Sequence, residues 1–402
     1  MKKNSFVKTR LFMNRGKYVF AQLFEFVSHN DFIKCVNKYN GDYKTKHFSC
    51  WKQFLCMAFG QFTHRESLSD TILCLNANKS KLYHLGIGKA ISKSTLSKAN
   101  ENRDWRIYQD FALLLIEHAK ILYQGDSQLE IDIKNNIFII DSSTIDLCLS
   151  IYPWAKFRKS KGAVKLHTKM DAKTSIPDFI HISDGKMHDI NVLDIITIIA
   201  DSFYILDRGY VDYKRLYRIH KSEAFFVTRA KKNMDFERMY SSEVDKSIGV
   251  KCDQTIILKG FYVSNDYPEK LRRIKFHDAE RNKTLVFITN NFDLSAMEIS
   301  MLYKNRWFIE IFFKWIKQHL KIKSFWGRSM NAVKTQIWIA ISVYVVVLIV
   351  KKKLKLEQSI YEILQILSIN IFDKEPLNQL FDKPNLHNFK EPDCNQLKMF
   401  DL

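Results

Sequence analysis

The sequence predicts an α/β protein with an all-α N-terminal domain (1–125), a strand-containing domain (130–370) and a C-terminal tail (371–402). Apolar residues in the first part recur at helical spacing. From about residue 130, short apolar runs rich in β-branched residues replace that spacing, which favours strands. With 46% hydrophobic residues among 402, the chain can bury a core for more than one domain.

The N-terminal domain contains three segments with helical apolar spacing, FAQLFEFV, WKQFLCMAFGQF and DFALLLIEHAKILY. A fourth segment, SKSTLSKANENRDW, offers Ser and Thr caps followed by a polar helix. Two interpretations of this segment stay open: a helix that lies in a DNA groove, and a solvated connector.

The second part begins with three predicted strands, a helix and a fourth strand. These elements are strands 136–141, 163–171 and 177–184, helix 191–200 and strand 202–207. The strand-like segments TIILKGFYVS, RRIKFHD and KTLVFITN predict a β-rich insertion at about 225–290. A helix then starts near Ser295, where Asp-Leu-Ser supplies a cap. Two more helices, at 331–352 and 357–370, are expected to cover the sheet, and the tail after 371 is expected to be loosely ordered.

The charge of the chain predicts a polyanionic partner. The formal net charge is +20 and the pI is about 9.4, which favours nucleic acid as that partner. Residues 1–125 contain 20 Lys and Arg against 9 Asp and Glu, so the main electrostatic footprint for DNA is expected on the N-terminal domain. The alternative is that a composition rich in Lys and Asn reflects only the base composition of the genome.

Cysteine usage and the N-terminus both favour a cytoplasmic protein. The seven cysteines form no CxxC pair and lie mostly in apolar runs, as reduced packing residues do. The basic segment MKKNSFVKTRLF lacks the apolar region of a signal peptide. The apolar run 337–350 is 14 residues long and falls short of the ~20 that a bilayer requires, so it predicts a buried helix and no membrane partner.

Tyr303, Arg306, Glu310 and Lys317 are spaced at 3, 4 and 7 residues in YKNRWFIEIFFKWIK. On one continuous helix these side chains share one face, where the carboxylate of Glu310 lies among basic side chains. That combination suits a site that holds a metal ion and a phosphate together. The alternative is a solvated helix face with an i,i+4 ion pair.

Two aspartates are candidates for the same site. Asp141 ends the apolar run NIFIID, and Asp207 ends the run SFYILD. Each alone is well explained as the cap of a following turn. Together with Glu310 they form a set of three carboxylates, which are the hard oxygen ligands that Mg²⁺ prefers. Two such ions ~4 Å apart can activate an attacking oxygen and stabilise the leaving oxygen of a phosphodiester.

The segments DSSTIDL and LDRGY and the pattern Y-x2-R-x3-E-x6-K resemble the Asp-Asp-Glu signature of bacterial insertion-sequence transposases, most closely the IS-four type. The resemblance implies an RNase H-like catalytic core, consistent with the strand order above. It implies cleavage at the ends of an insertion sequence and joining to target DNA, with Mg²⁺ as cofactor, for which Mn²⁺ can substitute. Terminal inverted repeats, target DNA and a second copy of the chain are the implied partners, and the bacterial nucleoid is the implied location.

The resemblance also assigns roles to individual residues. Asp141, Asp207 and Glu310 would be the catalytic, metal-binding triad. The DNA phosphates near the cut would be contacted by the three remaining signature residues, Tyr303, Arg306 and Lys317. A catalytically inactive DNA-binding regulator derived from a transposase is the alternative. Some family members support a flipped base with a Trp in the insertion, but here no Trp occurs between Trp154 and Trp307, which leaves a hairpin step open.

Other polar residues receive less specific predictions. Lys165 and His167 alternate along a strand, so they share one face and either line the site or pair with acids of a neighbouring strand. Asp146 is expected to be a polar turn residue, and His188 and Asp189 are not expected to bind metal. The sequence has no Gly-rich phosphate loop, which argues against ATP use.

Overall fold

The computed structural model describes residues 16–158, 161–279, 282–319 and 325–381. Within these ranges a helical N-terminal region is followed by one large mixed sheet with helices on both faces. The predicted α/β class and the all-α N-terminal region are confirmed.

The N-terminal region contains six α-helices in the part of the chain described. Four of them, α2 to α5, begin at a serine whose side chain accepts a backbone N–H from the first turn. Such caps satisfy donors that have no partner inside the helix. The helices are α1 (Val19–Leu23), α2 (His29–Lys38), α3 (Cys50–Phe62), α4 (Leu68–Ala77), α5 (Lys93–Asn102) and α6 (Arg106–Leu122).

The sheet contains ten strands in the order β2-β3-β1-β5-β6-β10-β9-β8-β7, and β4 also pairs with β3. β1 pairs parallel with β5, and β5 pairs parallel with β6, whereas the other neighbours are antiparallel. The strands are β1 (Asn136–Leu147), β2 (Lys156–Arg158), β3 (Lys161–Asp171), β4 (Pro177–Asp184), β5 (Ser202–Leu206), β6 (Phe225–Arg229), β7 (Phe236–Ser242), β8 (Val250–Leu258), β9 (Leu271–Asp278) and β10 (Lys283–Thr289). The strand-rich segment predicted at 225–290 therefore extends the main sheet through the β6–β10 pairing.

The first strand is longer than predicted. β1 continues six residues past Asp141 because β3 runs beside it, pairing Asp141 with Thr168 and Leu147 with Gly162. The expectation that Asp141 ends a strand was therefore wrong with respect to β3. It holds with respect to the parallel neighbour, because the β1–β5 pairing ends at Ile140 and Leu206.

The helix predicted at 191–200 is also wrong in length. The structure has a 3₁₀ turn, Asp189–Asn191, followed by one short helix, α7 (Val192–Ile195). The sequence after it, Ile-Thr-Ile-Ile, is β-branched, and such residues disfavour helix because their χ1 freedom is restricted. Part of the segment TIILKGFYVS likewise forms a helix, α9 (Phe261–Asp266), and not a strand.

The signature segment is divided between two helices, so the expectation of one continuous helix was wrong. α10 (Ala296–Lys304) begins with the predicted cap, a capping box of Ser295 and Glu298, and α11 spans Trp307–His319. Between them the Asn305 side chain donates to Met301 O (3.1 Å). Asn side chains that bond to nearby backbone compete with helix continuation.

Helix α12 (Met330–Leu354) is buried from Ala332 to Val350 except at Lys334, which is partly exposed. By length and composition it could cross a membrane, but 94% of its most apolar 18-residue window is covered by the rest of the protein. It packs against α3, α5 and α6 and shares a core with one face of the sheet. The prediction of a buried layer is confirmed.

The opposite face of the sheet is covered by α7, α8 (Tyr213–Lys221) and their neighbours. After α12 the chain forms α13 (Ile360–Asn370) and a short helix, α14 (Leu377–Phe381). The expectation of loose order after 371 was wrong for 371–381, because Leu377, Leu380 and Phe381 are buried. The rest of the predicted tail lies outside the described residues.

The N-terminal helices, α12 and one sheet face contribute to a single hydrophobic core. The boundary near residue 125 is therefore a change of secondary structure and not a break in packing. Trp338 of α12 is fully buried, and its side chain is among the largest in this shared core.

Replacing Trp338 with Ala should lower the free energy of unfolding by about 3–5 kcal/mol, because the cavity cannot be refilled by rigid neighbours. Chemical denaturation followed by far-UV circular dichroism measures this change. Ile369→Ala is the matched control, since Ile369 is 80% exposed. Equal unfolding midpoints for the two variants would contradict the central position of α12.

Candidate active site

The parallel pairing of β1 and β5 sets two aspartates side by side. Ile140 is opposite Leu206 in this pairing, and each is followed in the sequence by an aspartate, Asp141 within β1 and Asp207 directly after β5. Beyond this point β5 ends while β1 continues along β3. The two carboxyl groups therefore lie where the sheet opens between adjacent strands, with side chains 20% and 32% exposed.

Glu310 joins them from the first turn of α11. Its carboxylate contacts the Arg306 guanidinium, whose other terminal nitrogen lies 3.0 Å from Asp141 Oδ2. Arg306 therefore bridges the helix acid and the strand acid. Glu310 itself is 56% exposed at the side chain, so it faces the solvent side of the site.

Asp207 is held by two donors. Arg229 Nη2 lies 2.7 Å from Asp207 Oδ1, and the Tyr303 hydroxyl donates to the same oxygen at 3.3 Å. Arg229 ends β6, the strand next to β5. It was not among the residues predicted from the sequence, although its position at the end of the apolar run FFVTR resembles that of the two aspartates.

Burial, together with the charges of Asp207 and Glu310, raises the pKa of Asp141 to about 6, although the Ser142 backbone N–H and the Arg306 charge act in the opposite direction. Burial alone would also raise the pKa of Asp207, but the hydrogen bond and charge of Arg229 hold it below its usual value. The two neighbouring carboxyl groups therefore differ in acidity, because burial dominates at Asp141 whereas the contacts with Arg229 outweigh burial at Asp207.

Two cavities meet at Glu310. A groove of about 420 Å³ is lined by Asp141, Glu310 and Lys317, with Ser142, Ser143, Phe313 and Lys314 completing its walls. Lys317 at its edge donates to Thr144 O (2.7 Å). A larger cavity of about 620 Å³ lies on the other side of Arg306 and is lined by Arg229, Tyr303 and several lysines of the strand-rich segment. Both cavities are bordered by positive charge, which suits an anionic substrate.

The acids provide the oxygen ligands that a hard divalent cation requires. The buried Asp141 carboxyl, whose pKa is raised by its surroundings, also favours a positive charge beside it. Among the described residues, however, no group of three His, Cys, Asp or Glu side chains is arranged to hold a metal ion. The Arg306 guanidinium instead takes the cationic position between Asp141 and Glu310.

The other candidates lie in structural contacts. Lys165 Nζ pairs with Asp189 (3.0 Å) and donates to Met187 O (2.8 Å). His167 Nε2 is 2.9 Å from Ser183 Oγ, and burial lowers the pKa of this histidine to about 4. Lys165 thus pairs with an acid as one interpretation expected, but Asp189 belongs to a 3₁₀ turn and not to a neighbouring strand, and the partner of His167 is a serine. Asp146 is not in a turn: it lies exposed within β1.

Residues 133–346, over half of the chain, match the family model described as a transposase DDE domain, and residues 15–88 match a domain of unknown function (DUF4372). A putative transposase, y4zB, of Sinorhizobium fredii is 30% identical over 69% of this chain and 78% of that protein. A probable transposase for insertion sequence element IS5377 of Geobacillus stearothermophilus is 28% identical over 63% of this chain and 65% of its own length.

A solved structure of a piggyBac transposase synaptic complex with hairpin DNA is also similar to this chain. The superposition covers 93% of this chain and 84% of the piggyBac chain, with 10% sequence identity and a TM-score of 0.44. That score is too low to establish a shared fold. The family match and the first relative are sufficient without it: the chain belongs to the DDE transposase family.

Proposed function

We propose that this protein cuts DNA at the ends of an insertion sequence and joins the freed ends to target DNA, with Asp141, Asp207 and Glu310 as its catalytic, metal-binding triad. The observation that supports this most is their convergence from distant parts of the sequence. Two acids follow paired positions of adjacent parallel strands, and the third is linked to Asp141 through one guanidinium.

The three carboxylates would hold Mg²⁺, for which Mn²⁺ can substitute. When bound, the cation supplies Lewis-acid stabilisation of charge at a phosphodiester, both for hydrolysis and for the attack of a freed 3′-hydroxyl on target DNA. The family membership of the chain and the all-oxygen donor set support this assignment.

Arg306 has to exchange partners in such a reaction. If Asp141 and Glu310 held a divalent cation, the Arg306 guanidinium would lose these two partners and could turn toward the DNA phosphates beside the cut. Arg and phosphate form bidentate, charge-assisted hydrogen bonds. The same residue would then neutralise the acids before DNA binds and position the DNA afterwards.

Tyr303 and Lys317 would contact phosphate from the two cavities. Tyr303 is buried and orients Asp207, but it also lines the larger cavity, from which its hydroxyl can meet a phosphate. Lys317 lines the groove that contains Asp141 and Glu310. Its ammonium group donates to the carbonyl oxygen of Thr144 in β1, the strand that bears Asp141. A phosphate bound by Lys317 would therefore lie close to the acids.

The catalytic part at 130–370 would be an RNase H-like core with the strand-rich segment at about 225–290 as an insertion. The antiparallel strands β4, β3 and β1, followed by the parallel strands β5 and β6, support this proposal. Residues 1–125 would bind the terminal inverted repeats and 371–402 would form a C-terminal extension. We further propose a homodimer that holds two DNA ends, in the cytoplasm at the nucleoid.

Glu310→Gln should abolish cleavage, by at least about 10³-fold, while DNA binding persists, because the amide keeps the shape but loses the charge that holds a divalent cation. Single-turnover cleavage of a duplex carrying the element's end measures the loss. Glu117→Gln, which neutralises an exposed acid of α6, is the control. If the wild type binds such ends but never cleaves them, the protein is an inactive DNA-binding regulator.

Arg306→Ala and Lys317→Ala should reduce cleavage only partly, and more at high salt, because their charges position phosphate. Added Mg²⁺ or Mn²⁺ should not restore the rate. Arg306→Ala should nevertheless bind Mn²⁺ at least as tightly as the wild type, since it removes a competing cation from the two acids. Titration calorimetry with Mn²⁺ tests this, and weaker binding by Arg306→Ala would refute the exchange of partners.

Asp141→Asn should stabilise the fold by roughly 1–3 kcal/mol near pH 7. The pKa of Asp141 is raised to about 6 in the folded protein, so between pH 4 and 6 the folded state binds more protons than the unfolded state. The contribution of Asp141 to stability is therefore most favourable at low pH and is lost as pH rises through 6. Thermal unfolding of both proteins at pH 5 and pH 7.5 measures this, and a lower midpoint for the variant at pH 7.5 would contradict it.

A further inference from the structure

Helix α5 differs from the other N-terminal helices in the polarity of its solvent-exposed residues. All of its exposed residues are polar: Lys93, Ser94, Thr95, Lys98, Glu101 and Asn102. Of the other N-terminal helices of ten residues or more, α3 has no exposed residue, and α2, α4 and α6 expose Ile33, Leu73 and Leu114. The polar face of α5 is therefore unusual for this region.

The lysines of α5 are not neutralised. Neither Lys93 nor Lys98 forms an ion pair within the part of the chain that the structure describes. On α2, by contrast, Lys34 pairs with Asp31 and Lys38 pairs with Asp110, each at 2.7 Å. The positive charge of α5 is thus available to an anionic partner.

The opposite side of α5 is fixed by buried polar contacts. Asn100 is 2% exposed; its Oδ1 accepts from Gln53 Nε2 of α3 at 2.8 Å, and its Nδ2 lies 3.3 Å from Met57 Sδ. Leu96 and Ala99 are buried beside it. A solvated connector does not need such anchoring, whereas a helix that must meet a rigid partner in one orientation does.

The end of α5 is also tied to the catalytic part. Asn331, at the start of α12, donates to the carbonyls of Asn100 (2.9 Å) and Arg103 (2.6 Å). The neighbouring Arg328 carbonyl accepts from Trp154 Nε1 (2.7 Å), in the loop between β1 and β2. The start of α12 therefore joins α5 to the loop that follows β1, the strand that bears Asp141.

From these observations we infer that α5 is the helix that enters a groove of the DNA at the end of the element. Lys93 and Lys98 contact phosphates, and the short polar side chains of Thr95 and Asn102 face base edges. Phosphate contacts fix position and base contacts give sequence preference. α5 is not the second helix of a helix-turn-helix, because residues 78–92 between α4 and α5 far exceed a three- to four-residue turn. This inference rests on the proposed function.

The test compares Lys93→Ala/Lys98→Ala with the control Lys34→Ala/Lys38→Ala in the full-length protein. Fluorescence anisotropy with a duplex of the element's terminal inverted repeat, over a range of salt concentrations, gives the affinity and its salt dependence. The α5 double variant should bind more weakly, with a slope of log K against log salt shallower by roughly 2. The control, which removes the same charge from paired lysines, should keep the wild-type slope.

Asn102→Ala tests the base contact. It should leave the salt slope unchanged but reduce the preference for the terminal repeat over a scrambled duplex by roughly 5-fold or more. Thermal unfolding midpoints equal to the wild type show that each variant is folded. An Asn102→Ala protein with undiminished preference would overturn the assignment of base contacts to α5.

Equal losses of affinity in both lysine double variants, or none in either, would overturn the inference as a whole. Cleavage by the wild type is followed in parallel. If the wild type cleaves the ends while the α5 variants bind normally, only the inference fails. If the wild type does not cleave, the proposed function fails independently of α5.

Discussion

The site depends on how two arginines neutralise three carboxylates. Asp141, Asp207 and Glu310 repel one another, and Asp141 is also largely removed from water. Arg229 compensates Asp207, and Arg306 compensates Asp141 and Glu310 together. Burying like charges without such partners would cost several kcal/mol. The arginines therefore allow the three acids to lie close together without any other cation, and in the function proposed above Arg306 is the group that a divalent cation would displace.

The rest of the fold keeps these groups in register. Parallel pairing of β1 with β5 and of β5 with β6 brings Asp141, Asp207 and Arg229 to the same edge of the sheet. Helix α11 supplies Glu310, and it contacts both β1 and α12. Because α12 is covered by the N-terminal helices on its other side, displacement of those helices would disturb the packing behind the site. The N-terminal region and this edge of the sheet are thus parts of one packed body.

Much of this arrangement could be predicted from local patterns. Apolar periodicity and β-branched runs indicated helices α1, α3 and α6, the strands that precede the two aspartates and the buried helix α12, whereas α2 and α4 were not predicted. The sequence missed features that depend on neighbours in space. β1 extends past Asp141 only because β3 runs beside it, and the signature segment divides into two helices at Asn305, whose side chain bonds to Met301 O. Arg229 was missed because its role arises from strand order and not from spacing in the sequence.

The most direct test of the account is a crystal structure of the full-length protein with Mn²⁺ and a pre-cut end duplex, with the ion located by anomalous scattering. The account predicts Mn²⁺ coordinated by carboxylate oxygens of Asp141, Asp207 and Glu310, with the Arg306 guanidinium moved onto a DNA phosphate. Mn²⁺ bound elsewhere, or Arg306 still bridging Asp141 and Glu310 in that complex, would contradict it.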